Sequence, residues 1–341
     1  MKKIYEISFL RSFAIITMVL YHAFTPYLGW QYAQSDLQPR YNSIFLNYLW
    51  FILPLFTFVS GCLFSYLFNE KGKYTNVAGF IQKKFFRLIL PYFVFSLLMG
   101  LTLSNLTWFA LFNGYEHLWF MVMLFWCFVA ARCLIQIKFV QKNLILQLAI
   151  LGISFFVSLK FYPQNYLYLD YFVRYFCWFW AGYVFMLHKS KLTGFFSTRN
   201  MVILFAGYIL ACILVDLFVP QSDSIYGYKN GFRYDILKYI SYSCFILFAY
   251  ISIHKVVTRK NFVCPVWIEQ VNACSYGIYI FHHWIIRYAF SANFPYQQTV
   301  FRFAELHPII FPITAFLVMF ILSFAITKLL LYTKTGRFLI G

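Results

Sequence analysis

Hydrophobic positions along this chain of 341 residues come in long runs, not in the strict alternation of a half-buried strand or the narrow stripe of a surface helix. Runs long enough, at 1.5 Å per helical residue, to cross about 30 Å of hydrocarbon occupy residues 7–28, 44–68, 86–106, 118–137, 144–161, 167–187, 201–219, 236–257, 273–290 and 309–332. Residues that stop helices, among them Asn69, Gly72, Pro265, Pro295 and Pro308, stand between them. No intervening stretch has room for a soluble domain. The pattern therefore predicts one all-α integral-membrane domain over 1–341, a polytopic bundle of about ten transmembrane helices. The short run 144–161 and its neighbour across 162–167 also suit a re-entrant or tilted element. The basic start MKK imitates a secretory leader, but the run 7–28 is too long, contains Arg11 and has no small-residue cleavage site. It reads as a retained first helix.

Composition agrees: 62% of residues are hydrophobic and 11% charged, with a mean hydropathy of +0.69, far more apolar than a soluble domain. The net charge of +18 has a topological explanation. With the N-terminus in the cytoplasm, all of the 28 Lys and Arg residues fall inside except Arg40, Lys160, Arg174, Lys229, Arg233, Lys238, Arg287 and Arg302, as the positive-inside bias requires. Both termini are then cytoplasmic. No nucleic-acid motif accompanies the charge, so nucleic acid is excluded as a partner. Eight scattered cysteines without a CxxC pair argue against a disulfide framework and against a metal site.

Within this apolar frame the polar residues stand out. The run 9–24 reads FLRSFAIITMVLYHAF; on a helix, eleven steps bring Arg11 and His22 to one face about 16 Å apart. An ionisable group in a span normally faces the bundle interior or a cavity. Arg11, one or two turns in, serves equally as an anchor at the cytoplasmic surface. His22, about 20 Å into the span, is either a hydrogen-bonded structural histidine or a base able to take a proton from a hydroxyl near neutral pH. A second basic group, Lys83, Lys84 and Arg87, precedes Pro91 at the cytoplasmic side of the third span. It suits topology, or the phosphates of an anionic ligand; no Gly-rich phosphate loop is present.

In the ninth span, ACSYGIYIFHHWII, residues Ser275, Tyr279 and His282 share a face at spacings of four and three. That stripe is either glue between helices or part of a site. His283 points about 100° away, toward a neighbour that would satisfy it. Ser60 and Gly61 in PLFTFVSG allow close helix approach. Trp119, in EHLWF at the outer mouth of the fourth span, suits an interfacial belt or a platform on which a sugar stacks. On the outer side, Asp170 and Arg174 form an i, i+4 pair. The loop 220–235, with Asp223, Tyr226, Tyr228, Lys229, Asn230, Arg233 and Tyr234, suits a solvated loop with an interfacial belt, or a carbohydrate surface.

Together, Arg11-x10-His22, PLFTFVSG, Lys84 and Arg87 before Pro91, HLWF and SYGIYIFHHW resemble the membrane-bound acyltransferase family of type 3, in register over nearly the whole chain. The resemblance implies an O-acetyltransferase of the inner (plasma) membrane, moving an acyl group from cytoplasmic acetyl-CoA to a hydroxyl of a surface polysaccharide, lipid-linked sugar or other envelope glycan. It implies His22 and Arg11 as the catalytic pair, with Arg11, Lys84 and Arg87 on the donor. Tyr279, His282, Ser275 and Trp119 are candidates for oxyanion or acceptor contacts. No metal is implied. The family's basic pair is commonly two arginines; lysine at position 84 keeps the charge and loses the bidentate fork. The sequence is expected to lack the fused extracytoplasmic esterase-like domain of some relatives. Because export has also been assigned within this fold, an exporter or flippase of polysaccharide or lipid-linked sugar is the alternative; it should show internal repeats with paired broken helices, and none is visible in the sequence.

Overall fold

In the computed structural model the described residues are 4–28, 32–104, 107, 112, 115–160, 167–218 and 232–341, and among them the chain forms helices and no strand. Most of the loop 220–235 (Asp223, Tyr226, Tyr228, Lys229 and Asn230) lies outside them, as do Lys2 and Lys3. Seven helices are long and apolar enough to cross a membrane by length and composition: Tyr5–Phe24, Ile52–Glu70, Val77–Leu103, Glu116–Leu134, Thr198–Leu217, Tyr234–Val257 and Ile310–Tyr332. The other three expected spans are also helical, at Leu144–Lys160, Leu169–Leu187 and Val266–Ala289. The first is shorter, and the other two carry polar and aromatic residues that thin their apolar windows. The protein is an all-α polytopic membrane bundle.

The chain forms two compact units, neither contiguous in sequence. One comprises Met1–Leu53, Phe195–Arg337 and Gly341, the other Pro54–Gly194 and Phe338–Ile340. In the first, α1 (Tyr5–Phe24) packs against α11 (Phe232–Val257), α12 (Val266–Ala289) and α14 (Ile310–Tyr332), while α10 (Thr198–Phe218) runs along α11. Short helices α2 (Gln38–Ser43) and α13 (Gln297–Leu306) complete it. Lipid is as apolar as a leucine side chain, so close packing and hydrogen bonds have to hold such helices together. Here Ser12 Oγ donates to Ile268 O at 3.1 Å, His254 Nδ1 meets Glu6 Oε1 at 2.9 Å, and Phe51 stacks on Phe245 with centroids 3.6 Å apart.

The second unit holds α3 (Ile52–Ser65) from Pro54 onward, α4 (Val77–Lys84), α5 (Leu90–Leu103), α6 (Trp119–Leu134), α7 (Lys138–Lys142), α8 (Leu144–Lys160) and α9 (Leu169–Leu187). Gly61 allows the close approach expected of it. A Cβ there would lie 1.9 Å from Phe179 O, and one on Gly182 2.0 Å from Phe58 O, so α3 and α9 meet backbone to backbone. A last helix, α15, spans Lys334–Ile340.

Several helix starts differ from expectation, α12 among them, which begins at Val266 and not at 273; two have a visible cause. The run 44–68 is not one helix: a π-turn at Ile44–Tyr48 ends at Leu49, and α3 starts at Ile52. Pro54 explains the break, since it lacks an amide hydrogen and fits only the first turn of a helix, where no donor is needed. The run 86–106 starts earlier, at Val77, because Asn76 Oδ1 accepts from Gly79 N at 3.3 Å and caps α4. Between α4 and α5 the turn Phe85–Ile89 widens to a π-turn, where Pro91 has no N–H to give to residue 87.

Candidate active site

The site is assembled in the first unit by helix α1 lying along α12. Ser12, bonded to Ile268 O, fixes the rotation of α1, which turns His22 onto α12 in the last turn of α1, two residues before Phe24. His22 is 9% exposed, His282 0% and His283 4%. The His22 ring is 4.8 Å from that of His282 at 61°, and 4.7 Å from that of His283 at 87°, both edge-on. Tyr21 packs against His22 from its own helix at 5.1 Å.

Hydrogen bonds define the protonation pattern of the neutral pair. His282 Nδ1 is 2.8 Å from Ile278 O; a carbonyl only accepts, so this nitrogen carries the proton and His282 Nε2 carries a lone pair. That lone pair faces His22 Nδ1 at 3.0 Å, and Met18 O lies 3.1 Å from the same nitrogen. His22 Nδ1 thus meets two acceptors and must be the protonated nitrogen. Its basic lone pair is placed on Nε2. An imidazole held by one nitrogen and basic at the other is the arrangement proton abstraction needs.

Of the residues singled out in sequence, His22 and His282 are in contact and the Tyr279 ring lies 6.2 Å from His282. Ser275, buried two turns away, donates its hydroxyl hydrogen to Asn272 O at 2.8 Å. Arg11 shares the His22 face of α1 and is half-buried. His283 was expected to point about 100° from His282, toward a neighbour that would satisfy it. Its ring also meets His22 edge-on, 6.3 Å from the His282 ring, so the α1 imidazole touches two successive positions of α12.

The other candidates belong to the second unit. Trp119 stacks on Tyr171 with centroids 3.9 Å apart at 23°, so one of its faces is covered. Lys83, Lys84 and Arg87 converge on Tyr74: the Lys83 and Lys84 ammoniums lie 6.0 and 5.6 Å from its ring. Burial pushes the Tyr74 phenol up, with the Arg87 guanidinium opposing. Lys84 Nζ is also 3.4 Å from the Phe128 centroid, held by rings, whereas Lys83 and Arg87 are exposed. A residue that sequence reasoning treated as topology alone orders this cluster. Arg132, 5% exposed, donates from Nε to Tyr74 O at 3.0 Å and from Nη2 to Thr75 O at 2.7 Å. It thereby holds Tyr74 at φ 70°, a left-handed conformation uncommon outside glycine.

Among the described residues no group of His, Cys, Asp and Glu could hold a metal ion. A family profile described as an acyltransferase domain matches residues 4–328, nearly the whole chain. No curated protein and no solved structure matches the chain.

Proposed function

We propose that this chain, which belongs to the acyltransferase 3 family, is an O-acetyltransferase of the plasma membrane that moves an acetyl group from acyl-CoA to a hydroxyl of an envelope glycan. The observation that carries this reading is the His22–His282 pair, with its lone pair directed to His22 Nε2. In the reaction His22 Nε2 takes the proton of the acceptor hydroxyl as that oxygen attacks the thioester carbonyl. The carbon–sulfur bond breaks, coenzyme A leaves as thiolate, and the imidazolium returns the proton to sulfur. The products are ester and free thiol. A positioned general base contributes about 10²–10⁴-fold, and Tyr279 is the candidate donor to the developing oxyanion.

The basic residues support a phosphate-bearing donor. Lys83 and Arg87 are exposed cations around Tyr74, of the kind that makes charge-assisted bonds to phosphate, and Lys84, held on Phe128, adds its field. Arg11 is assigned to the donor through the family resemblance. The charge pattern supports cytoplasmic termini, which puts Arg11 toward the cytoplasm and the His22 end of α1 toward the outer face.

Mass spectrometry of envelope glycans tests the reading. Cells carrying His22→Ala should lose acetyl increments with the protein still present at normal level. Retained acetylation would remove His22 from the role, and loss of the polymer itself would mark export.

A further inference from the structure

Lysine in an apolar span needs a reason, and Lys238 has a specific setting. It lies two turns into α11 and is 8% exposed. Its ammonium sits 4.2 Å from the Tyr234 ring centroid, one turn earlier, and 5.8 Å from that of Trp50. Trp50 then meets Tyr21 edge-on at 5.4 Å, and Tyr21 meets His22 at 5.1 Å. A single row, Tyr234, Lys238, Trp50, Tyr21, His22, therefore joins a sheltered cation to the imidazole within one unit. Two carboxylates lie in the neighbourhood: Asp235 on the same helix, and Asp216 on α10, which accepts from Ser43 Oγ at 3.0 Å and from Asn47 Nδ2.

From this geometry we infer an acceptor subsite beside His22 that takes a negatively charged sugar. Aromatic faces stack on the apolar face of a pyranose. An ammonium held in low dielectric binds an anionic substituent far more strongly than one in water. Two cation–π contacts keep the ammonium in place when no sugar is bound, and the anion then adds to them. Asp216 is occupied by Ser43, Asn47 and Tyr48, and Asp235 is the carboxylate whose charge acts on Lys238; the ammonium is the feature that distinguishes a charged sugar from a neutral one. The charged unit binds at the Trp50–Lys238 end, and the hydroxyl to be acylated projects along Tyr21 toward His22.

This inference rests on the acetyl-transfer reading, and binding and turnover separate the two. Purified protein in nanodiscs is given a hexuronic-acid oligosaccharide or its carboxyl-reduced neutral counterpart. Binding is measured calorimetrically, and transfer from acetyl-CoA by mass. The wild type should bind the acidic sugar about tenfold more tightly, the ratio one charge-assisted bond supports. Lys238→Met should abolish the preference, Lys238→Arg should retain most of it, and Trp50→Ala should weaken both sugars. His22→Ala should bind normally and transfer nothing. Equal binding of the two sugars by the wild type, binding of neither, or an undiminished preference in a folded Lys238→Met protein overturns the subsite. Charge-selective binding without transfer leaves the subsite standing and overturns the acetyl-transfer reading instead.

Discussion

Gly277 of α12 lies against Thr327 of α14 so closely that a Cβ on the glycine would fall 2.4 Å from the threonine Oγ1. The threonine cannot swing aside cheaply, because its hydroxyl donates to Ser323 O at 2.6 Å. This contact sets how near α12 comes to α14, and it lies less than two turns from His282. Gly277→Ala should destabilise the protein in detergent by about 1–3 kcal/mol, the usual cost of overpacking, and reduce transfer. Adding Thr327→Ala should recover part of the loss; a double mutant no more stable than Gly277→Ala would show the contact is not the cause.

His282 should act through His22. In His282→Phe, His22 Nδ1 keeps Met18 O as an acceptor, so the favoured tautomer is weakened and not lost. Turnover should fall about tenfold or more, yet by less than in His22→Ala. Parallel kinetics of the two variants, with acceptor KM as the control for binding, test this ordering.

Arg132 should matter to the donor alone. Arg132→Ala removes both bonds to the Tyr74–Thr75 carbonyls and frees the loop around which Lys83, Lys84 and Arg87 gather. The KM for acyl-CoA should rise severalfold while that for the acceptor stays unchanged. A rise in both would point to general loosening.

The second unit should weaken in acid through His188. Its Nε2 donates to Gln147 Oε1 at 2.7 Å, and Gln147 Nε2 donates to Val140 O and Gln141 O, both at 2.9 Å. Burial, then the nearby Lys191 charge, holds the His188 pKa below its ordinary value. The folded protein thus binds this proton less readily than the unfolded chain. The stability that neutral His188 contributes is complete above about pH 6.5 and declines as pH falls toward the lower folded value. Thermal unfolding at pH 7.5 and 5.5 should show a larger drop for the wild type than for His188→Gln.

Much of this was legible in the sequence because a membrane helix announces itself by length. All ten apolar runs hold a helix, and two of the displaced starts follow from signals that were present: Pro54, which fits a helix only in its first turn, and Asn76, a standard cap. His22 stood out by polarity, and His282 by its shared face with Tyr279 and Ser275. The contact of His283 with His22 was not legible, because a helical wheel gives direction around one helix and says nothing of a neighbouring ring wide enough to touch two positions. The capture of Lys84 by Phe128, 44 positions later in the chain, and the enclosure of Lys238 between Trp50 and Tyr234 depend on tertiary contacts that no spacing reveals. Lysine inside the run 236–257 was nonetheless a visible signal, read only as charge on the outer side.

The discontinuous first unit puts a clock on the site. His22 and His282 are 260 positions apart, and chains are made at about 5–20 residues per second. The first helix therefore waits roughly 13–50 s before α12 exists to receive it. Through that interval Ser12 lacks the Ile268 carbonyl it bonds in the finished protein, and His22 has Met18 O on its own helix and not yet His282. A nascent chain stopped after α11 would hold the base without the residue that orients it. Completion of synthesis is in this sense the step that switches the site on.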